Sequence, residues 1–169
     1  SNENRNINKF PFDFSINNTY GNNKAIKLIA ELGINHNGSK EQLFNLCKLA
    51  CESGSDIVKF QYFDSQQRIG SKVRELEHIE KAQEMEENVL QLLNRCELSL
   101  SEIIEAKHFV EKQGLIAMCT PFGLQSFRDL VESGFDHIKI SSMDLNNYHL
   151  HEEILSKQAP LNLFISTGM

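Results

Sequence analysis

Five short apolar runs punctuate the chain: LIAE (28–31), IVKFQ (57–61), IAMCTPF (116–122), IKISS (138–142) and LFISTGM (163–169). Each is β-rich and too short for a helix. Between most of them, apolar positions recur at three- and four-residue spacing, the period of a helix with one buried face. The alternation predicts parallel strands over 26–32, 56–60, 115–119, 137–141 and 161–166, joined by crossover helices. Ser39 with Gln42 opens the first helix in a capping-box arrangement; Leu43, Leu46, Cys47 and Ala50 form its buried face, and Gly54 lies just past its end. Residues 82–95 read as helical though highly charged. Ser99 and Glu102 make a second capping box, opening a helix that ends before Gly114. Further helices are expected at 123–133 and 148–157, the former burying Leu124, Phe127, Leu130 and Val131.

A right-handed succession of βα units, each strand beside the last, curls toward a barrel. The predicted class is therefore α/β, of the (β/α)8 TIM-barrel type, with about five βα units present. The chain stops directly after a strand that would need a covering helix, so it reads as part of a longer barrel. Alternating Phe10, Phe12 and Phe14, followed by an Asn/Gly cluster at 17–23, predict a β-hairpin within a flexible N-terminal region, residues 1–27. Residues 28–169 would be the barrel portion.

Composition narrows the class of function. The 169 residues carry a net charge of −6, and their basic residues form no stripe, which argues against nucleic-acid binding. No apolar run approaches a membrane span, and the polar start lacks a signal core. The four cysteines, Cys47, Cys51, Cys96 and Cys119, include no C-x-x-C pair, as suits a reducing cytoplasm.

In parallel α/β folds the C-terminal strand ends converge on one face, where sites form. That rule brings Glu31, Lys59, Gln61, Thr120, Ser142 and Ser166 together. A lysine inside a strand is costly to bury unpaired, so Lys59 needs an anionic partner or a catalytic task. It could clamp a phosphate or carboxylate, or serve as a Schiff-base nucleophile; the residues alone leave both open. Three successive strand ends with hydroxyls (Thr120, Ser142, and Ser166 with Thr167) suit a phosphate cradle. Pro121 is expected to fix the turn after Thr120. Glu31 is placed for acid–base work, for a sugar hydroxyl, or as the structural partner of Lys59. Asp144 could hold a substrate hydroxyl or cap the next helix. His36 lies in a glycine-bounded loop at the same face, and no convincing set of metal ligands is visible.

The segments IAELGINHNGS, GSDIVKFQ, CELSLSEI, LIAMCTPF, HIKISSMDLNN and LFISTGM, in that order, resemble the sialic acid synthase family, N-acetylneuraminate synthase and its legionaminic and pseudaminic relatives. The resemblance spans about residues 28–169. It implies condensation of phosphoenolpyruvate with the open-chain aldehyde of an N-acylated amino sugar, giving a nine-carbon 2-keto acid and phosphate. By motif, Lys59, Thr120, Ser142 and Ser166 would hold phosphoenolpyruvate, Glu31 would be the carboxylate near the reacting centre, and Gln61 and Asp144 would contact the amino sugar. The resemblance also implies a divalent metal, manganese or magnesium, with histidine ligands outside this chain, and a homodimer in the intact protein. The isolated chain is accordingly expected to be inactive. SSM at 141–143 departs from a more usual Ser-Gly, and near residue 84 an acidic Glu84 stands about where the sialic-acid branch has an asparagine. Two alternatives stand beside this one: another phosphoenolpyruvate-dependent barrel making a 3-deoxy keto acid, and a non-catalytic remnant that binds an anion or a partner.

Overall fold

The computed structural model describes residues 27–64, 91–157 and 161–168. The expected hairpin, Glu84 and most of the helix expected at 82–95 lie outside these residues; of that helix, residues 91–96 are described and are helical.

The strands are β1 (Ile29–Gly33), β2 (Ile57–Tyr62), β3 (Ile116–Pro121), β4 (His137–Ile140) and β5 (Asn162–Ile165). They form one sheet in the order β1-β2-β3-β4-β5, every pair parallel. Each strand lies beside its predecessor, the arrangement of consecutive units in a (β/α)8 barrel. Besides residues 91–96, the α-helices among the described residues are α1 (Lys40–Glu52), α2 (Leu100–Lys112), α3 (Leu124–Glu132) and α4 (Tyr148–Ser156).

Local chemistry starts the helices where expected. Ser39 Oγ accepts from the Gln42 N–H, and at α2 the box is reciprocal: Ser99 Oγ accepts from the Glu102 N–H while Glu102 accepts from the Ser99 N–H. Asn147, not Asp144, caps α4, accepting from the Leu150 N–H. Pro121 is the last residue of β3, where a missing N–H is tolerated, and the turn follows at Gly123, whose φ of 98° suits glycine.

Strand parity divides the side chains. Val58, Phe60, Cys119, Ile138 and Ile140 pack with Leu43, Ile103, Val110, Phe127 and Leu130 in one core. The opposite parity carries Ile57, Lys59 and Gln61 on β2, Met118 and Thr120 on β3, and Lys139 on β4. The core holds the strands in register; the other face is left for chemistry. Bridges between helices add to this layer: Lys40 to Glu105, and Arg128 to Glu153, which also pairs with Lys157. Arg128 and then Lys157 hold the Glu153 carboxyl down at about 2.

The β1–α1 loop is pinned from two sides. His36 is buried; its Nδ1 accepts from the Gly38 N–H, and burial lowers its pKa below the ordinary histidine value. The ring thus has a structural task in this loop, holding the turn at Gly38. Gly38, at φ 75°, lies so close to the backbone of Arg95 that an added Cβ would stand 2.1 Å from the Arg95 carbonyl oxygen. Gly54 has a similar φ of 85° with nothing within 4 Å of its Cβ position. Gly54→Ala is expected to cost about 1–2 kcal/mol for the left-handed backbone alone. Gly38→Ala adds an overpacking cost and should reach about 3 kcal/mol or more. Chemical denaturation of the two variants tests the difference; equal losses would mean that the Arg95 contact constrains nothing.

Candidate functional site

The site is built from the register. Glu31 lies level with Lys59, and Gln61 lies level with Thr120. Parallel pairing brings like-numbered positions of neighbouring strands side by side, so Lys59 and Glu31 form an ion pair across β1 and β2. Lys59 is the more buried partner, at 16% side-chain exposure against 40% for Glu31, so one side of the carboxylate faces open space.

A bulge shapes the rim above this pair. Glu31 pairs with Lys59, but Gly33 pairs with Phe60, leaving Leu32 as an extra residue in β1. A bulge re-aims the side chains that follow it. Here it brings Gly33 against both neighbours: a Cβ on Gly33 would stand 3.4 Å from Glu31 Oε1 and 3.6 Å from Gln61 Nε2. The carboxylate and the amide therefore flank the same glycine.

Lys139, absent from the residues expected above, is a second ammonium in this cluster. Burial first, then repulsion from Lys59, push its pKa below the ordinary lysine value, with Glu31 opposing. No ion pair joins Lys139 to any described residue. Two ammonium groups thus share one carboxylate, a local excess of positive charge that an anion would neutralise. The sequence signal is a lysine between Ile138 and Ile140, both fully buried, the same reasoning that singles out Lys59.

The hydroxyls lie at the ends of the next three strands. Thr120 is buried in β3, and the chain steps from β4 into a short 3-10 turn, Ser142–Asp144. Ser166 follows β5, with its N–H donating to the Ile140 carbonyl at 3.0 Å. The side-chain hydroxyls of Thr120, Ser142 and Ser166 make no hydrogen bond to described residues. Asp144 Oδ1 accepts from Asn147 Nδ2 at 3.2 Å, and its N–H donates to the Ser141 carbonyl. Its bonds run within its own loop, not to Gln61 or Lys59. The structure therefore joins Glu31, Lys59, Gln61 and Lys139 by contact or charge, and sets Thr120, Ser142, Ser166 and Asp144 around them by strand order. Among the described residues, no group of three or more His, Cys, Asp or Glu side chains could hold a metal ion, and no helix is long and apolar enough to cross a membrane.

The NeuB family model matches residues 46–169. The chain is 34% identical over 148 residues to the N,N'-diacetyllegionaminic acid synthase of Campylobacter jejuni, covering 86% of this chain and 43% of that protein. It is 32% identical over 149 residues to the enzyme of the same name from Legionella pneumophila, covering 88% and 41%. The chain therefore spans about two fifths of the length of these curated relatives. The N-acetylneuraminic acid (sialic acid) synthetase of Leptospira borgpetersenii, solved in complex with citrate, superposes with a TM-score of 0.71 at 24% identity, over 86% of this chain and 46% of that one. That likeness bears out the barrel-type α/β fold.

The charge sharing has a measurable signature. Because the folded pKa of Lys139 lies below its unfolded value, its ammonium opposes folding below that folded pKa. The cost fades as pH rises from there toward the ordinary lysine range. Lys59→Met, by removing the like charge, should raise the Lys139 pKa; Glu31→Gln, by removing the opposing charge, should lower it further. NMR titration of the Lys139 side chain reads both shifts, and identical titration in all three proteins would detach Lys139 from the cluster.

Proposed function

The chain belongs to the NeuB family, and from that premise we propose that the whole protein condenses phosphoenolpyruvate with an N-acylated amino sugar to give a nine-carbon 2-keto acid and inorganic phosphate. The observation that carries the reading is the pair of ammonium groups sharing one carboxylate, ringed by uncommitted hydroxyls. Phosphoenolpyruvate carries a carboxylate and a phosphate ester on the same carbon, which suits two separate cations better than one.

In this reading Lys59 and Lys139 bind the two anionic ends, and Thr120, Ser142 and Ser166 donate hydrogen bonds to phosphate oxygens. Lys59 then acts as an anion clamp and not as a Schiff-base nucleophile. The methylene carbon of the enol attacks the sugar aldehyde, forming the new C–C bond. Water adds to the former enol carbon, and the C–O bond to phosphate breaks as the 2-keto group forms. Glu31 is the carboxylate at hand to take the proton from that water. Gln61 and Asp144 would hold hydroxyl or amide groups of the sugar, with Asn147 orienting Asp144. The names of the two bacterial relatives favour a doubly N-acylated sugar. The divalent metal that the family resemblance implies does not fit the described residues, and no step here is derived through it.

The test is phosphate release from phosphoenolpyruvate by the full-length protein, with divalent metal and a panel of N-acylated hexosamines. Release should require the sugar. Lys59→Ala should raise the KM for phosphoenolpyruvate roughly 10- to 100-fold, the worth of a charge-assisted hydrogen bond. Glu31→Gln should lower kcat by roughly 100-fold or more, while the KM for phosphoenolpyruvate stays level or falls, because Lys59 loses a competing partner. No release with any sugar, or equal and negligible effects of both substitutions, would overturn the assignment.

A further inference from the structure

Among the described residues, one buried side-chain polar atom has no hydrogen-bond partner: the hydroxyl of Ser141. The residue is 8% exposed and lies between Lys139 and the turn at Ser142–Asp144. A buried hydroxyl left unpaired costs about 1–3 kcal/mol, so one is retained only where something offsets it. The backbone of Ser141 is still extended, at φ −71° and ψ 156°, so strand alternation continues through it. Lys139 faces the site and Ile140 faces the core, which returns Ser141 to the side of Lys139. Its own carbonyl accepts from the Asp144 N–H at 3.1 Å, and the neighbouring Ile140 carbonyl accepts from the Ser166 N–H. Both carbonyls already accept a backbone N–H, and the hydroxyl has no partner of its own.

We propose that Ser141 is a further binding residue of this site, its hydroxyl donating to the bound anion after a χ1 rotation that turns it from the covered position toward the ligand. Rotation between staggered wells moves the oxygen without moving the backbone. The inference rests on the phosphoenolpyruvate reading above and adds a fourth hydroxyl to Thr120, Ser142 and Ser166. It has an unusual consequence, since binding satisfies a group that folding leaves unpaired. Removing the hydroxyl should therefore help the empty protein and harm the liganded one.

The experiment compares wild type, Ser141→Ala and Ser141→Thr in the full-length protein, by thermal denaturation with and without phosphoenolpyruvate and by steady-state kinetics. Ser141→Ala is expected to hold or raise the Tm of the unliganded protein and to shrink the Tm gain on adding phosphoenolpyruvate. The KM for phosphoenolpyruvate should rise about tenfold, with kcat within about twofold, and Ser141→Thr should restore most of the loss. An alanine variant with wild-type KM and Tm gain would overturn the role of Ser141 while leaving the synthase reading in place. So would a fall in the Tm of the unliganded alanine variant, which would show the hydroxyl already satisfied. A wild-type protein whose Tm does not respond to phosphoenolpyruvate would overturn both together.

Discussion

Two ammonium groups held around a single carboxylate are tolerable only where the strand register leaves no freedom. Lys59 must lie level with Glu31 to be neutralised, and a one-residue slip of β1 against β2 would turn the carboxylate to the helix side and leave both lysines uncompensated. The packed face secures this. Val58 and Phe60 alternate with Lys59 and Gln61, so the same pairing that buries apolar side chains under the helices lines up the polar ones on the reverse. Stability and charge are thereby supplied by opposite faces of the same strands.

The residual positive charge gives the site its chemical character. A fully balanced cluster would be a structural bridge. This one is left with an ammonium in excess, Lys139, whose proton affinity is already lowered by its surroundings. A bound anion, as proposed above, would relieve that repulsion, so part of its binding energy would come from charge repulsion present in the empty site. In the proposed reading, the uncommitted hydroxyls at the ends of β3 and β5, and after β4, would meet a ligand that the lysines orient.

Much of this was legible in the chain itself. Strand alternation, the two caps at Ser39 and Ser99, and a lysine inside an apolar strand depend on local pattern, and each appears in the structure where that pattern places it. β2 and β3 run two residues past their expected ends, because each is paired with a parallel neighbour along that stretch, which draws Gln61 and Thr120 into them; β1 starts three residues later than expected, and β4 and β5 are shorter. Asp144 gave up the helix cap to Asn147 because a 3-10 turn intervenes. Lys139 and the bulge at Leu32 were harder to read. The first needs two strands between it and Glu31 to be placed side by side, and the second is a mismatch between partners that no single strand records.

The close approach of Gly38 to Arg95 bears on how such a protein can diversify. It fastens the return of the second βα connection to the loop that carries Glu31 onward into α1. The stretch between β2 and Arg95 thus starts at one fixed element and finishes at another. Changes within that stretch therefore leave the Glu31–Lys59 register in place, because the elements at both of its ends are fixed independently of it.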